Sequence, residues 1–73
     1  MEVRVTLDRD ADAAYIYLRE IGPAESAYQC AVDCDGAEGM ILLDLDREGR
    51  LIGIEVLNAQ RGLPAEVLEA AEL

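Results

Sequence analysis

The densest run of apolar residues in this chain is MILLDLDREGRLIGIEVL, residues 40–57. It consists of two apolar segments on either side of the polar sequence DREGR. Gly49 within that sequence can adopt the left-handed conformation that closes a type I turn. The pattern predicts a β-hairpin in which Asp46 lies opposite Arg50.

In that register both faces of the hairpin are apolar, because side chains alternate between the faces of a strand. One predicted face consists of Met40, Leu42, Ile52, Ile54 and Val56. The other consists of Ile41, Leu43, Leu45, Leu51 and Leu57, together with Gly53 and Glu55. A single layer of helix covers one face only, so we expect the other to meet a second chain. The predicted interface residues are Ile41, Leu43, Leu45, Leu51, Glu55 and Leu57.

Glu55 is an acid in the most apolar predicted strand, between Ile54 and Val56. Buried acids are seldom left without a partner. We therefore expect an ion pair with an arginine, either Arg4 or Arg19. The alternative is that Glu55 is a specificity contact for another protein.

The segments before the hairpin predict further strands. Residues 2–7 alternate between apolar and polar side chains, which is typical of a half-buried strand. Residues 13–18 fit both a helix and a strand template, and Tyr-Ile-Tyr after an Asp-rich turn favours the strand. Residues 27–32 form a weaker strand candidate, with Tyr28, Cys30 and Val32 on one face.

The segment after the hairpin predicts a single terminal helix. Residues 58–62 have the composition of a polar connector, and residues 63–73 carry an apolar stripe that begins beside Pro64. So short a helix must dock on the sheet. The predicted fold is α+β: one domain, residues 1–73, with an antiparallel sheet of four to five strands and one C-terminal helix packed on one face.

The composition restricts the possible partners. The 73 residues include three Tyr, no Phe and no Trp, so the core is thin and burial against a second copy is favourable. Sixteen acidic residues against six basic ones give a net charge of −10, which repels nucleic acid and suits a basic protein. The longest apolar run, Met40–Leu43, is too short to cross a membrane. Residues 1–10 do not read as a signal peptide, so we expect a cytoplasmic protein.

Two segments resemble a known family. VTLDRDADAAYIYL (residues 5–18) and ILLDLDREGRLIGIEVLNA (residues 41–59) are similar to the bacterial and archaeal domain-of-unknown-function family 2283. The resemblance implies a small α+β domain with an antiparallel sheet, and it supports a strand at residues 13–18. At Ala14 the family usually has a larger Leu. The resemblance implies no activity and no catalytic residue.

A calcium loop is the most specific metal pattern in the sequence. The residues at positions 1, 3, 5, 6 and 12 of the EF-hand pattern are Asp44, Asp46, Glu48, Gly49 and Glu55. That loop needs a helix on each side, whereas the flanking residues predict strands. A second cluster, Asp8, Asp10 and Asp12, lacks the glycine and the bidentate glutamate, and it predicts a turn. We therefore predict neither a metal site nor a cofactor.

Catalysis by a Ser/His/Asp or Cys/His arrangement within the chain is excluded, because the chain has no His, no Lys and a single Ser, Ser26. Cys30 and Cys34 would lie about 13 Å apart in an extended segment, too far for a disulfide. We predict that both are small buried side chains.

The sequence thus predicts a non-enzymatic interaction module that forms a homodimer through the hairpin. Two alternatives are open: an acidic, antitoxin-like partner of a basic protein, and a weak divalent-cation-binding domain.

Overall fold

The alternating segments form a five-stranded antiparallel sheet in the computed structural model, which describes residues 2–72. The strands are β1 (Arg4–Asp8), β2 (Ala13–Tyr17), β3 (Tyr28–Val32), β4 (Met40–Leu45) and β5 (Leu51–Leu57). Two short helices follow, α1 (Ala59–Gly62) and α2 (Ala65–Ala70). The strand order is β1-β2-β5-β4-β3, so the predicted hairpin supplies β5 at the centre and β4 beside it. This confirms the α+β class and the strand predicted at residues 13–18.

The C-terminal region contains two helices where one was predicted. Within the predicted connector, residues 59–62 form α1 after Asn58 takes a left-handed conformation, with φ of 58°. The cap comes from a distant turn: the Asp12 carbonyl accepts the N–H of Ala59 at 3.0 Å, and its carboxylate accepts that of Gln60 at 3.0 Å. Local composition cannot reveal a cap supplied from 48 residues away. Helix α2 lies inside the predicted helical range, and Leu73 lies outside the described residues.

The turn of the hairpin is as predicted, but the register beyond it is not. The Asp46 N–H donates to the Arg50 carbonyl at 2.9 Å, as expected for that turn. Leu45 then pairs with Leu51, but Asp44 pairs with Gly53, which leaves an extra residue, Ile52, on β5. This β-bulge moves β4 by one residue against β5, and a one-residue shift exchanges the faces of a strand. The two predicted hairpin faces are therefore wrong.

The true faces differ strongly in polarity. The apolar face carries the following residues, strand by strand: Val5, Leu7, Ala14, Ile16, Ile52, Ile54, Val56, Ile41, Leu43, Leu45, Tyr28, Cys30 and Val32. The polar face carries mostly polar residues and Gly53, interspersed with a few apolar ones. The first group is Arg4, Thr6, Tyr15, Tyr17, Gly53, Glu55, Asp44 and Gln29, and the apolar residues are Ala13, Leu57, Met40, Leu42 and Ala31. The apolar face provides a continuous surface for packing.

The helices cover one end of the apolar face. Leu7, Ala14 and Ala59 form a buried cluster, against which Leu63, Leu68 and Ala71 pack. Ala59 is completely buried, and Ile52 and Val56 complete the buried apolar residues of the described chain. None of the helices within residues 2–72 has the length and apolarity that crossing a membrane requires. The core is thus small and lies towards β1, β2 and the end of β5.

Candidate functional site

Part of the apolar face lies away from the helices, with its β3 residues exposed and its β4 and β5 residues half-buried. We call it the open patch; it consists of Tyr28, Cys30, Val32, Leu43, Leu45 and Ile54. Tyr28 is 57% exposed and Val32 38%, although both are large apolar side chains on the face that forms the core. The open patch has no charged residue. Its position on β3, β4 and β5 places it beside the core and continuous with it.

The predicted interface residues divide between the two faces. Ile41, Leu43 and Leu45 lie on the apolar face, whereas Glu55 and Leu57 lie on the polar face. Leu51 lies at the bulge, opposite Leu45. The structure thus brings three of the six predicted residues, Ile41, Leu43 and Leu45, together on one face. The extra residue in β5 puts the predicted β5 residues beyond the bulge on the opposite face from these β4 residues.

Four members of the open patch, Tyr28, Cys30, Val32 and Ile54, were not among the predicted interface residues. Tyr28, Cys30 and Val32 all come from β3, which is exposed along its whole length. The sequence alternation already predicts that these three residues share one face of a strand. That signal, together with the pairing of β3 with β4, identifies them as part of the apolar face. Cys30 and Cys34 are both exposed free thiols, so the prediction that they are buried is wrong. Cys30 lies on the edge strand β3, beyond the reach of the helices, and Cys34 lies in the loop that follows this strand.

The polar face contains a hydrogen-bond network around Asp44. The Tyr15 hydroxyl donates to Asp44 Oδ2, and the Gln29 amide donates to Oδ1 at 3.0 Å. Asp44 is only 6% exposed. Burial, together with the hydrogen bond and negative charge of Asp44, raises the pKa of Tyr15 well above its ordinary value. Tyr15 is therefore a neutral donor, and the network ties β2, β3 and β4 together across β5.

Gly53 makes that network possible. Tyr15 crosses β5 above Gly53 to reach Asp44, and a Cβ at Gly53 would lie 2.6 Å from Cζ of the Tyr15 ring. Any side chain at this position would displace the phenol. The glycine is thus required by the close approach of a ring.

The ion pairs of the polar face differ from those predicted. Arg4 approaches Glu20 and Glu72 at 3.6 Å each, and its guanidinium lies 4.4 Å from the centroid of the Tyr17 ring. Arg19 pairs with Glu25 at 3.3 Å. The predicted pairing of Glu55 with Arg4 or Arg19 is therefore wrong. In the sheet, Glu55 lies between Tyr15 on β2 and Leu42 on β4.

The acidic clusters are engaged in turns and caps. Asp46 Oδ1 accepts the N–H groups of Glu48 at 3.0 Å and Arg50 at 2.9 Å. These bonds lower the pKa of Asp46, and the bond from the Arg50 N–H contributes most. Asp8 Oδ1 likewise accepts two N–H groups of the β1–β2 turn. Within residues 2–72 no three Cys, Asp or Glu side chains form a group able to hold a metal ion.

The comparison with protein families agrees with this architecture. The family model described as Protein of unknown function (DUF2283) matches residues 4–60. This span begins at β1, includes all five strands and ends in α1. No curated protein and no solved structure matches the chain. Because the match covers well over half of the sequence, the chain belongs to the DUF2283 family, whose function is unknown.

Proposed function

We propose that this protein is a non-enzymatic self-association module in which the open patch of one copy packs against the open patch of a second. The observation that carries the proposal is an uncharged sheet face that the protein's own helices leave exposed. Large apolar patches of this kind mark interaction surfaces. Two sheets that pack face to face lie about 10 Å apart, with their inner side chains interdigitated.

The accessible surface supports this reading. The chain exposes 5122 Å². A compact monomer of 8.0 kDa should expose about 4,450 Å² by the usual scaling of surface with mass. The excess of roughly 700 Å² is close to the area of about 800 Å² that each partner buries in an interface of standard size.

A second copy fits the open patch better than a different protein because the patch has no charge with which to select one. The acidic residues of the net charge of −10 lie in the turns, the helices and the polar face. Identical apolar faces related by a two-fold axis are complementary by construction. Association would also enlarge a core that has only five buried apolar residues in the described chain.

Solution mass tests this proposal with a pair of matched variants. Leu43→Lys places a charge in the open patch, whereas Leu42→Lys places the same charge on the polar face. We expect Leu43→Lys to halve the mass found by sedimentation equilibrium at micromolar concentration, and Leu42→Lys to leave it unchanged. Far-UV circular dichroism shows whether each variant keeps its fold. A wild-type mass of 8.0 kDa would overturn the proposal whatever the variants do.

A further inference from the structure

The two edges of the sheet differ. The β1 edge is closed by the C-terminal segment, since Leu7 N–H donates to the Glu72 carbonyl and Glu72 N–H to that of Val5, each at 2.8 Å. The β3 edge has no such neighbour within the described chain, where β3 pairs with β4 alone. Its sequence, YQCAV, contains neither a charge nor a proline. Natural proteins usually protect an exposed edge with one of these devices, because a bare edge pairs with other strands.

The backbone groups available at that edge can be identified from the ladder. Asp46 directs its N–H towards β5, and Leu45 directs its carbonyl towards β3, where it accepts the N–H of Ala27 at 2.9 Å. Backbone groups alternate in direction along an antiparallel strand. Tyr28, Cys30 and Val32, the partners of Leu45, Leu43 and Ile41, therefore face β4. The N–H and C=O groups of Gln29 and Ala31 face outwards.

We propose that β3 pairs with the β3 strand of a second copy, antiparallel and centred on Cys30, so that two sheets become one of ten strands. This contact uses the backbone edge and is separate from the packing of the open patches. In this register Tyr28 lies opposite the partner's Val32, and Gln29 lies opposite the partner's Ala31. All five residues of the strand are paired, including two aromatic and β-branched pairs of the kind that stabilise sheets.

The same register makes the two interfaces compatible. The two Cys30 side chains share a face, so the apolar faces of both copies lie on the same side of the joined sheet. The open patch, which includes β3, becomes continuous across the two-fold axis. Packing of two joined sheets would give an assembly of four chains, about 32 kDa from 8.0 kDa per chain.

The thiols of Cys30 report on this register. Cys30 lies at the centre of the pairing, and its backbone N–H and C=O groups face β4. It therefore forms a non-hydrogen-bonded pair with Cys30 of the second copy. The Cα atoms of such a pair are about 4.5 Å apart, within the range that a disulfide spans. We expect the Cys34→Ser variant to form a covalent dimer with diamide, which accepts the two electrons and two protons of the paired thiols. Cys30→Ser, in which Cys34 would lie opposite the partner's Ser26, should remain monomeric in denaturing electrophoresis.

A backbone substitution separates this edge from the open patch. Ala31→Pro removes an outward N–H, while the β3–β4 ladder loses no hydrogen bond. In the Cys34→Ser background, Ala31→Pro should abolish the Cys30 cross-link and halve the solution mass, whereas Leu43→Lys should halve the mass and retain the cross-link. Absence of a Cys30 cross-link in folded Cys34→Ser would overturn the edge pairing. Retention of the cross-link in Ala31→Pro would overturn it as well. Loss of the expected effect of Leu43→Lys alone would overturn only the packing of the patches.

Discussion

Gly53 shows how a single residue determines what the polar face can contain. It lies on the central strand, and the Tyr15 ring passes above it to donate to Asp44. A glycine inside a strand costs conformational entropy and contributes no side-chain packing. Here that cost is offset by a network that joins three strands, including the edge strand β3 through Gln29.

We predict that Gly53→Ala destabilises the protein by about 1–3 kcal/mol, the usual cost of forcing a methyl group into a packed site. The added Cβ displaces the Tyr15 ring, so Asp44 loses a donor while it stays buried. Urea denaturation measures the change in the free energy of unfolding. Gly36→Ala is the matched control, because a Cβ at Gly36 has no neighbour within 4 Å. If Tyr15→Ala and Gly53→Ala are simply additive in the double variant, the ring is not the cause.

At the scale of elements, the strands could be predicted from the sequence and the register could not. Apolar and polar alternation identified the strands, and the sequence around Gly49 fixed the turn. The bulge at Ile52 was hidden because Ile52 is as apolar as its neighbours, so one more residue leaves the hydrophobic pattern unchanged. The available signal was Gly53, since an isolated glycine within a strand indicates a bulge or a close backbone approach. Both are present here.

The turn between β4 and β5 has a pH dependence of definite sign. Asp46 accepts two backbone N–H groups and pairs with Arg50 at 3.4 Å, and its pKa is lowered by folding. Its contribution to stability is therefore complete above the unfolded pKa of about 4. That contribution is lost as the pH falls through the lower folded value.

We predict that Asp46→Asn lowers the free energy of unfolding at neutral pH and that its difference from wild type shrinks as the pH falls below the unfolded pKa of about 4 and through the lower folded value. The oxygen of the substituted side-chain amide still accepts the turn N–H groups. The difference from wild type therefore measures the effect of the carboxylate charge alone. Denaturation curves at several pH values give the difference directly. Asp10→Asn, an exposed residue of the β1–β2 turn, is the control for the loss of one charge. A difference from wild type that is equal at neutral and acid pH would contradict the assignment.

At the scale of the whole molecule, the sequence predicted an apolar surface larger than one layer of helix can cover. It placed that surface on the wrong combination of residues, because the bulge exchanges the partners of β4. The charge of −10 and the thin core could be read from composition alone. The location of the open patch depended on where α1 and α2 dock, which is set by the cap from Asp12 and by the pairing of Glu72 with β1.

Association of such acidic copies should respond to salt in a direction that identifies the force involved. Each chain carries a net charge of −10, so two copies repel each other while their apolar faces attract. Raising the ionic strength from about 0.01 M to 0.15 M shortens the screening length from about 30 Å to about 8 Å and weakens the repulsion. We predict that sodium chloride strengthens self-association by several-fold, on the order of 1 kcal/mol. Because association stabilises the folded chain, the melting temperature should also rise with protein concentration. Sedimentation equilibrium at both ionic strengths measures the first effect, and Leu42→Lys, whose patch is intact, should follow wild type. Dissociation on addition of salt would show that ion pairs, rather than the open patches, hold the copies together.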